Sequence, residues 1–184
     1  MKIRHLVIIM LLLFILGGFI GYSLAMSNPY GLAKELFNSF GNKAKTIGFA
    51  PFSIRSAFLI FMNNFAIALL MIILSITIVL PSVVVFLNGA VAGVVVAFAE
   101  GNGISIPLAI LSMIPHGLFE LSAFFLSASY GTALGIAFWK RIIGKSGNLS
   151  SLIIKLPLYV FAVAALLLIA AFVETFISPL ILTL

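Results

Sequence analysis

Long apolar runs alternate with short polar interruptions along this chain, and the lengths of the runs define its elements. After Lys2 and Arg4, positions 6–25 are almost wholly apolar; a polar stretch, 27–55, comes next, then apolar runs over 56–80 and 83–99 divided by Pro81 and Ser82. Glu100, Gly101, Asn102 and Gly103 mark a loop, and the chain is apolar again over 104–139. A basic interruption with Lys140, Arg141, Lys145 and Lys155 precedes the last run, 156–177. An α-helix rises about 1.5 Å per residue, so some 20 apolar residues cover the roughly 30 Å of bilayer hydrocarbon. Runs of this length predict an all-α fold, a helical transmembrane bundle of about five spans (6–25, 56–80, 83–99, 116–140 and 156–177) in a single integral membrane domain over 1–184.

Two stretches depart from that plain pattern. Within 27–55, Leu32, Ala33, Leu36, Phe37 and Phe40 recur at helical spacing opposite Lys34, Glu35, Asn38 and Ser39, which predicts a short helix in the interface plane ending before Pro51. The run from Ile104 to Trp139 would be roughly 54 Å long as one helix, too long for a single crossing. Pro115 and Gly117 are the natural place for a break, giving a re-entrant segment over 106–114 and then the fourth span. Irregular backbone at membrane depth survives only when it is buried in protein or lines a wet cavity. The first run has a competing reading as a cleaved signal peptide, since Ser23 and Ala25 suit a cleavage site. It is long for a signal core of roughly 7–15 residues, which favours a retained helix.

Composition sharpens the class. Apolar residues make up 64% of the chain and charged residues 8%, which excludes a soluble domain of this length. The net charge of +6 comes from Lys and Arg at span ends, where they meet lipid head groups, so the expected partners are membrane lipids and not nucleic acid. Lys2, Arg4, Lys140, Arg141, Lys145 and Lys155 fall on one side and predict a multi-pass cell-membrane protein with a cytoplasmic N-terminus. The other side carries Lys34, Lys43, Lys45 and Arg55, offset by Glu35 and Glu100. The absence of cysteine excludes disulfides and thiolate chemistry.

Chemistry concentrates in a few polar positions. Only four acidic residues occur, and two, Glu120 and Glu174, fall in runs written for lipid, where a charged side chain costs about 2.5–3.5 kcal/mol on insertion scales. His116 and Glu120 are spaced i, i+4 and share one helix face. With five spans, Asn63, Asn64, His116, Glu120 and Glu174 can all lie at one depth beneath the outer side. An imidazole and two carboxylates can bind a divalent cation or pass protons, and Asn oxygens could complete the shell; the plain alternative is a hydrogen-bonded cluster that mends the break at Pro115. No H-E-x-x-H, G-x-S-x-G or phosphate-binding loop is present, so no catalytic residue or certain cofactor is assigned. Gly89 and Gly93, and Gly131 and Gly135 below Ala123 and Ser127, are G-x-x-x-G patterns expected to pack the third and fourth spans together.

The run Pro115-His116-Gly117-Leu118-Phe119-Glu120-Leu121, with Gly131-x-x-x-Gly135, Asn63-Asn64 and Glu174-x-x-Ile177-Ser178-Pro179, resembles the stage II sporulation protein M family. That resemblance covers most of the chain from Ser56 onward. It implies a five-span membrane protein and, for the best-known member, a role as membrane partner of enzymes that remodel the cell wall. The shared depth of the polar residues leads to the expectation of a homo-oligomeric cation or proton transporter, and the resemblance to that of a scaffold with a membrane or envelope protein partner. Intramembrane hydrolysis by His116 and Glu120 is the weakest of the three.

Overall fold

The structure is a computed structural model that describes residues 3–28, 31, 35 and 50–181. The interfacial helix expected within 27–55 falls almost entirely outside the described residues. The long helices are α1 (Ile3–Ser27), α2 (Ile54–Ile73), α3 (Leu80–Gly101), α4 (Ile106–Ile142) and α5 (Leu149–Phe172). A 3-10 turn (Leu74–Thr77) prolongs α2, and a π turn (Val173–Ile177) links α5 to a short α6 (Ser178–Ile181). Five helices are long and apolar enough to cross a membrane, and no strand occurs among the described residues.

Local sequence explains most element ends. Ser53 caps α2 by accepting from the Ser56 N–H, while the Ser56 hydroxyl accepts from the Ala50 N–H at 2.9 Å. Pro81 falls in the first turn of α3 and opens that helix, because its missing N–H would be unpaired there in any case. Thr77 closes the tight α2–α3 connection: its hydroxyl donates to Leu74 O at 2.9 Å and accepts from the Leu80 N–H at 3.2 Å. The fifth span begins earlier than expected, at Leu149, with Pro157 inside it.

One expectation is corrected. The chain does not break at Pro115; 106–114 is the first part of α4, which runs unbroken to Ile142. A proline inside a helix costs about 3 kcal/mol through one lost hydrogen bond and a clash. Opening the chain at membrane depth would strand several backbone groups at several kcal/mol each, so the continuous helix is the cheaper solution. At 37 residues α4 is longer than the hydrocarbon is thick, and it must tilt or project beyond it.

The glycine patterns also pack differently from expectation. A Cβ placed on Gly89 would meet Phe14 O at 2.1 Å, and one on Gly93 would meet Gly18 O at 2.0 Å, so both face α1 and not α4. α1 answers with Gly17 and Gly21, where a Cβ would meet Phe86 O at 2.1 Å and Ala90 O at 2.0 Å. Gly131 and Gly135 of α4 face α2 and its 3-10 turn, against Met71 O and Ser75 O. Two helix pairs, α1–α3 and α2–α4, are thus in backbone contact. Lipid offers no hydrophobic drive between helices, and close approach supplies dispersion and Cα–H···O contacts instead.

Met10, Met71, Val85, Phe124, Val163 and Leu167 bring all five long helices into one core. Toward the end of the bundle that holds the basic residues, Tyr130 stacks on Tyr159 with ring centroids 3.9 Å apart and donates its hydroxyl to Leu152 O. Trp139 Nε1 donates to Ile76 O at 2.7 Å nearby. Large apolar side chains such as Phe19, Ile154 and Phe161 stay exposed on the bundle flank, as expected for a surface that faces acyl chains.

Gly93→Ile should force α1 from α3 and destabilise the protein by about 1–3 kcal/mol or more, whereas Gly117→Ala, where a Cβ meets nothing within 4 Å, should not destabilise it. Thermal unfolding of both variants in detergent checks the contrast.

Candidate functional site

Five crossings bring the starts of α2 and α4 and the end of α5 to one end of the bundle. On α4, His116 and Glu120 project one turn apart from the same face, about 15 Å along the helix from Ile106 for the histidine. Glu174 approaches from α5 through the π turn. One ligand atom from each of His116, Glu120 and Glu174 lies within 4.8 Å of the others, and all three side chains are half-buried. The convergence of these residues is therefore present in the fold.

The π turn that presents Glu174 has a sequence cause. The Ser178 N–H reaches back five residues to Val173 O, and Pro179 has no N–H with which to close the next α-type bond, to Thr175 O. The Phe52 N–H takes that carbonyl at 3.0 Å and ties the start of the second span to the turn. Thr175, fully buried, donates its hydroxyl to Ala171 O at 2.8 Å. Phe172, Phe176 and Phe52 pack ring against ring around the turn. A wide turn of this kind is a frequent device for aiming a side chain at a functional site.

Ser178 joins the cluster: its hydroxyl lies 3.3 Å from His116 Nδ1. Ser178 is not a site candidate on the sequence alone; its only signal there is Ser178-Pro179 just beyond Glu174. Asn63 and Asn64 hydrogen-bond to each other, Nδ2 to Oδ1 at 3.1 Å. That contact pairs the two amides and does not itself link them to the His/Glu cluster. About two turns deeper than Glu120 on the same face of α4, the Ser127 hydroxyl is buried with no hydrogen-bond partner among the described residues.

Charge decides what this cluster can do. No Lys or Arg occurs between Arg55 and Lys140 or after Lys155, so α3 and the parts of α4 and α5 that carry the site hold no permanent cation of their own. Two carboxylates brought together away from water must be neutralised by protons or by a cation that these segments do not supply. The donors suit a divalent ion that accepts mixed nitrogen and oxygen ligands. Two ligands at about 2.1 Å from one ion can be no more than about 4.2 Å apart. A spread of up to 4.8 Å therefore takes a proton-bearing or water-bridged state as it stands and a bare ion after a small closure.

A cavity of about 740 Å³ adjoins the cluster between α1, α3 and the first half of α4. His116 and Glu120 line it, together with Gly117, Asn88 and mostly apolar neighbours, and among the described residues no Lys or Arg does. The Asn88 amide donates to Val84 O at 2.9 Å, one turn back in α3. Asn88 was not singled out in the sequence, because a lone amide in a span carries no pattern.

A family model described as Stage II sporulation protein M matches residues 10–179. No curated protein and no solved structure matches the chain.

If the carboxylates press on each other as this geometry requires, Glu120→Gln and Glu174→Gln should each stabilise the metal-free protein, and the double variant should gain less than the sum. The expected non-additivity is about 0.5–3 kcal/mol, measured by thermal unfolding in detergent. Strict additivity would separate the two residues.

Proposed function

The chain belongs to the stage II sporulation protein M family, and on that footing we propose that His116, Glu120 and Glu174 form an intramembrane cation site that serves transport. Protons and a divalent cation would occupy it in turn. The observation that carries this reading is the convergence of an imidazole and two carboxylates at membrane depth, with no permanent cation on the helix segments that supply them. A purely structural cluster would need only enough polarity to satisfy its own neighbours, whereas two acids create a charge debt that a mobile cation or proton meets. Ser178 would orient His116, and the π turn would hold Glu174 in reach. Five helices around one packed core leave little room for a path through a single copy, so the working unit is proposed to be a homo-oligomer.

The basic residues Lys140, Arg141, Lys145 and Lys155, with Arg4 at the start of α1, favour a cytoplasmic N-terminus and a site near the outer leaflet of the cell membrane. Family membership favours a second reading, a membrane scaffold for an envelope protein partner in which the cluster only fastens α4 to the end of α5. That reading predicts altered stability in Glu120→Gln with no ion binding to lose.

Isothermal titration of purified protein with Mn²⁺ and Zn²⁺, together with uptake into proteoliposomes, distinguishes the two. Glu120→Gln should weaken binding by roughly 30-fold or more and abolish uptake. Equal, ion-independent behaviour of wild type and variant would remove the transport reading.

A further inference from the structure

Two residues of the proposed cation site also line a cavity whose chemistry differs from that of a metal cage. Glu120 and His116 also line the cavity between α1, α3 and α4, whose volume of about 740 Å³ lies within the roughly 300–1,000 Å³ typical of small-molecule pockets. Its walls are apolar and aromatic, with Phe14, Phe19, Tyr22 and Phe124 among them, while Glu120 is the only acidic side chain in the lining among the described residues. Phe19 and Leu118 on its rim are 70% and 65% exposed, so the cavity is open on the flank that faces lipid. At the lower end α1 and α4 close together where Phe14 meets Phe125 edge to face, at 5.8 Å between ring centroids.

From this arrangement we infer that the cavity binds a lipophilic organic cation, an aromatic or quaternary ammonium or phosphonium compound arriving from the bilayer, whose charge rests against Glu120. The inference rests on the proposed cation site and names its second substrate class. Charge complementarity selects the occupant. A plain acyl chain, or an apolar helix from a second copy, would fill the cavity and leave the carboxylate buried and unpaired, whereas a cation with an apolar body meets both walls and charge. Aromatic faces around the cavity add cation–π attraction. His116 and Glu120 belong to both the cluster and the described cavity lining, whereas Glu174 belongs to the cluster alone, so the small and the organic cation would meet at shared residues. One carboxylate serving two cations holds them one at a time, which is the requirement for exchange.

Binding of tetraphenylphosphonium to the purified full-length protein, with Mn²⁺ titrated in parallel, tests this. Wild type should bind tetraphenylphosphonium saturably, Mn²⁺ should displace it, and Glu120→Gln should bind it roughly 30-fold more weakly or worse. Gly117→Phe fills the cavity from a position where an added Cβ meets nothing, and should block tetraphenylphosphonium while leaving Mn²⁺ binding intact; Gly18→Val, whose Cβ would sit 3.5 Å from Gly89 O, is the second blocking variant. Mn²⁺ binding without tetraphenylphosphonium binding, or tetraphenylphosphonium binding that ignores Glu120→Gln and both blocking variants, would overturn the inference and leave the cation site standing. Equal competition by an uncharged aromatic of similar size would also overturn it, marking an acyl-chain groove. Failure of both ligands would remove the inference and the cation site together.

Discussion

Two carboxylates held side by side inside a membrane, on helix segments with no lysine or arginine of their own, are the constraint around which this molecule is organised. Neither Glu120 nor Glu174 can be afforded there as an unbalanced charge, so the fold must bring each a partner or keep each protonated. His116 is brought within reach of both and Ser178 lies beside His116, and neither carries a fixed charge. Protons or a cation must supply the remaining compensation. That requirement is the physical ground for reading the cluster as a cation site and not only as a structural one.

The frame that holds this cluster is made by residues with no chemistry at all. Gly17, Gly21, Gly89 and Gly93 lock α1 against α3, and Gly131 and Gly135 lock α4 against α2. The second contact grips the lower half of α4, while its upper half borders the cavity along α1 and α3. His116 and Glu120 sit on that upper half, between the end of α5 on one side and the cavity on the other. Gly131 and Gly135 thus mark tight packing below, whereas Gly117, higher on the same 37-residue helix, faces open space.

Much of this was legible in the sequence. The five spans followed from run length, and the meeting of His116, Glu120 and Glu174 followed from counting crossings. Pro115 misled because a proline reads as a break, whereas the cost of exposing backbone to lipid exceeds the cost of one lost hydrogen bond. The glycine partners were misassigned for a different reason: a G-x-x-x-G pattern states that something approaches closely and carries no information about which helix does so. Gly17 and Gly21 lie inside a run that hydropathy alone marks as a span, and hydropathy carries no packing information. The π turn at Val173–Ile177 could not be counted from periodicity, although Pro179, which cannot supply the N–H an α-turn would need, is its sequence trace.

The central claim, that the paired acids are neutralised by exchangeable cations, is tested most directly by infrared difference spectroscopy of the carboxyl stretch in membrane-reconstituted protein. Adding Mn²⁺ should remove a protonated-carboxyl band and raise a carboxylate band in wild type, with the band assigned to Glu120 missing from Glu120→Gln. A spectrum unchanged by the cation, or the same change in both proteins, would contradict the account.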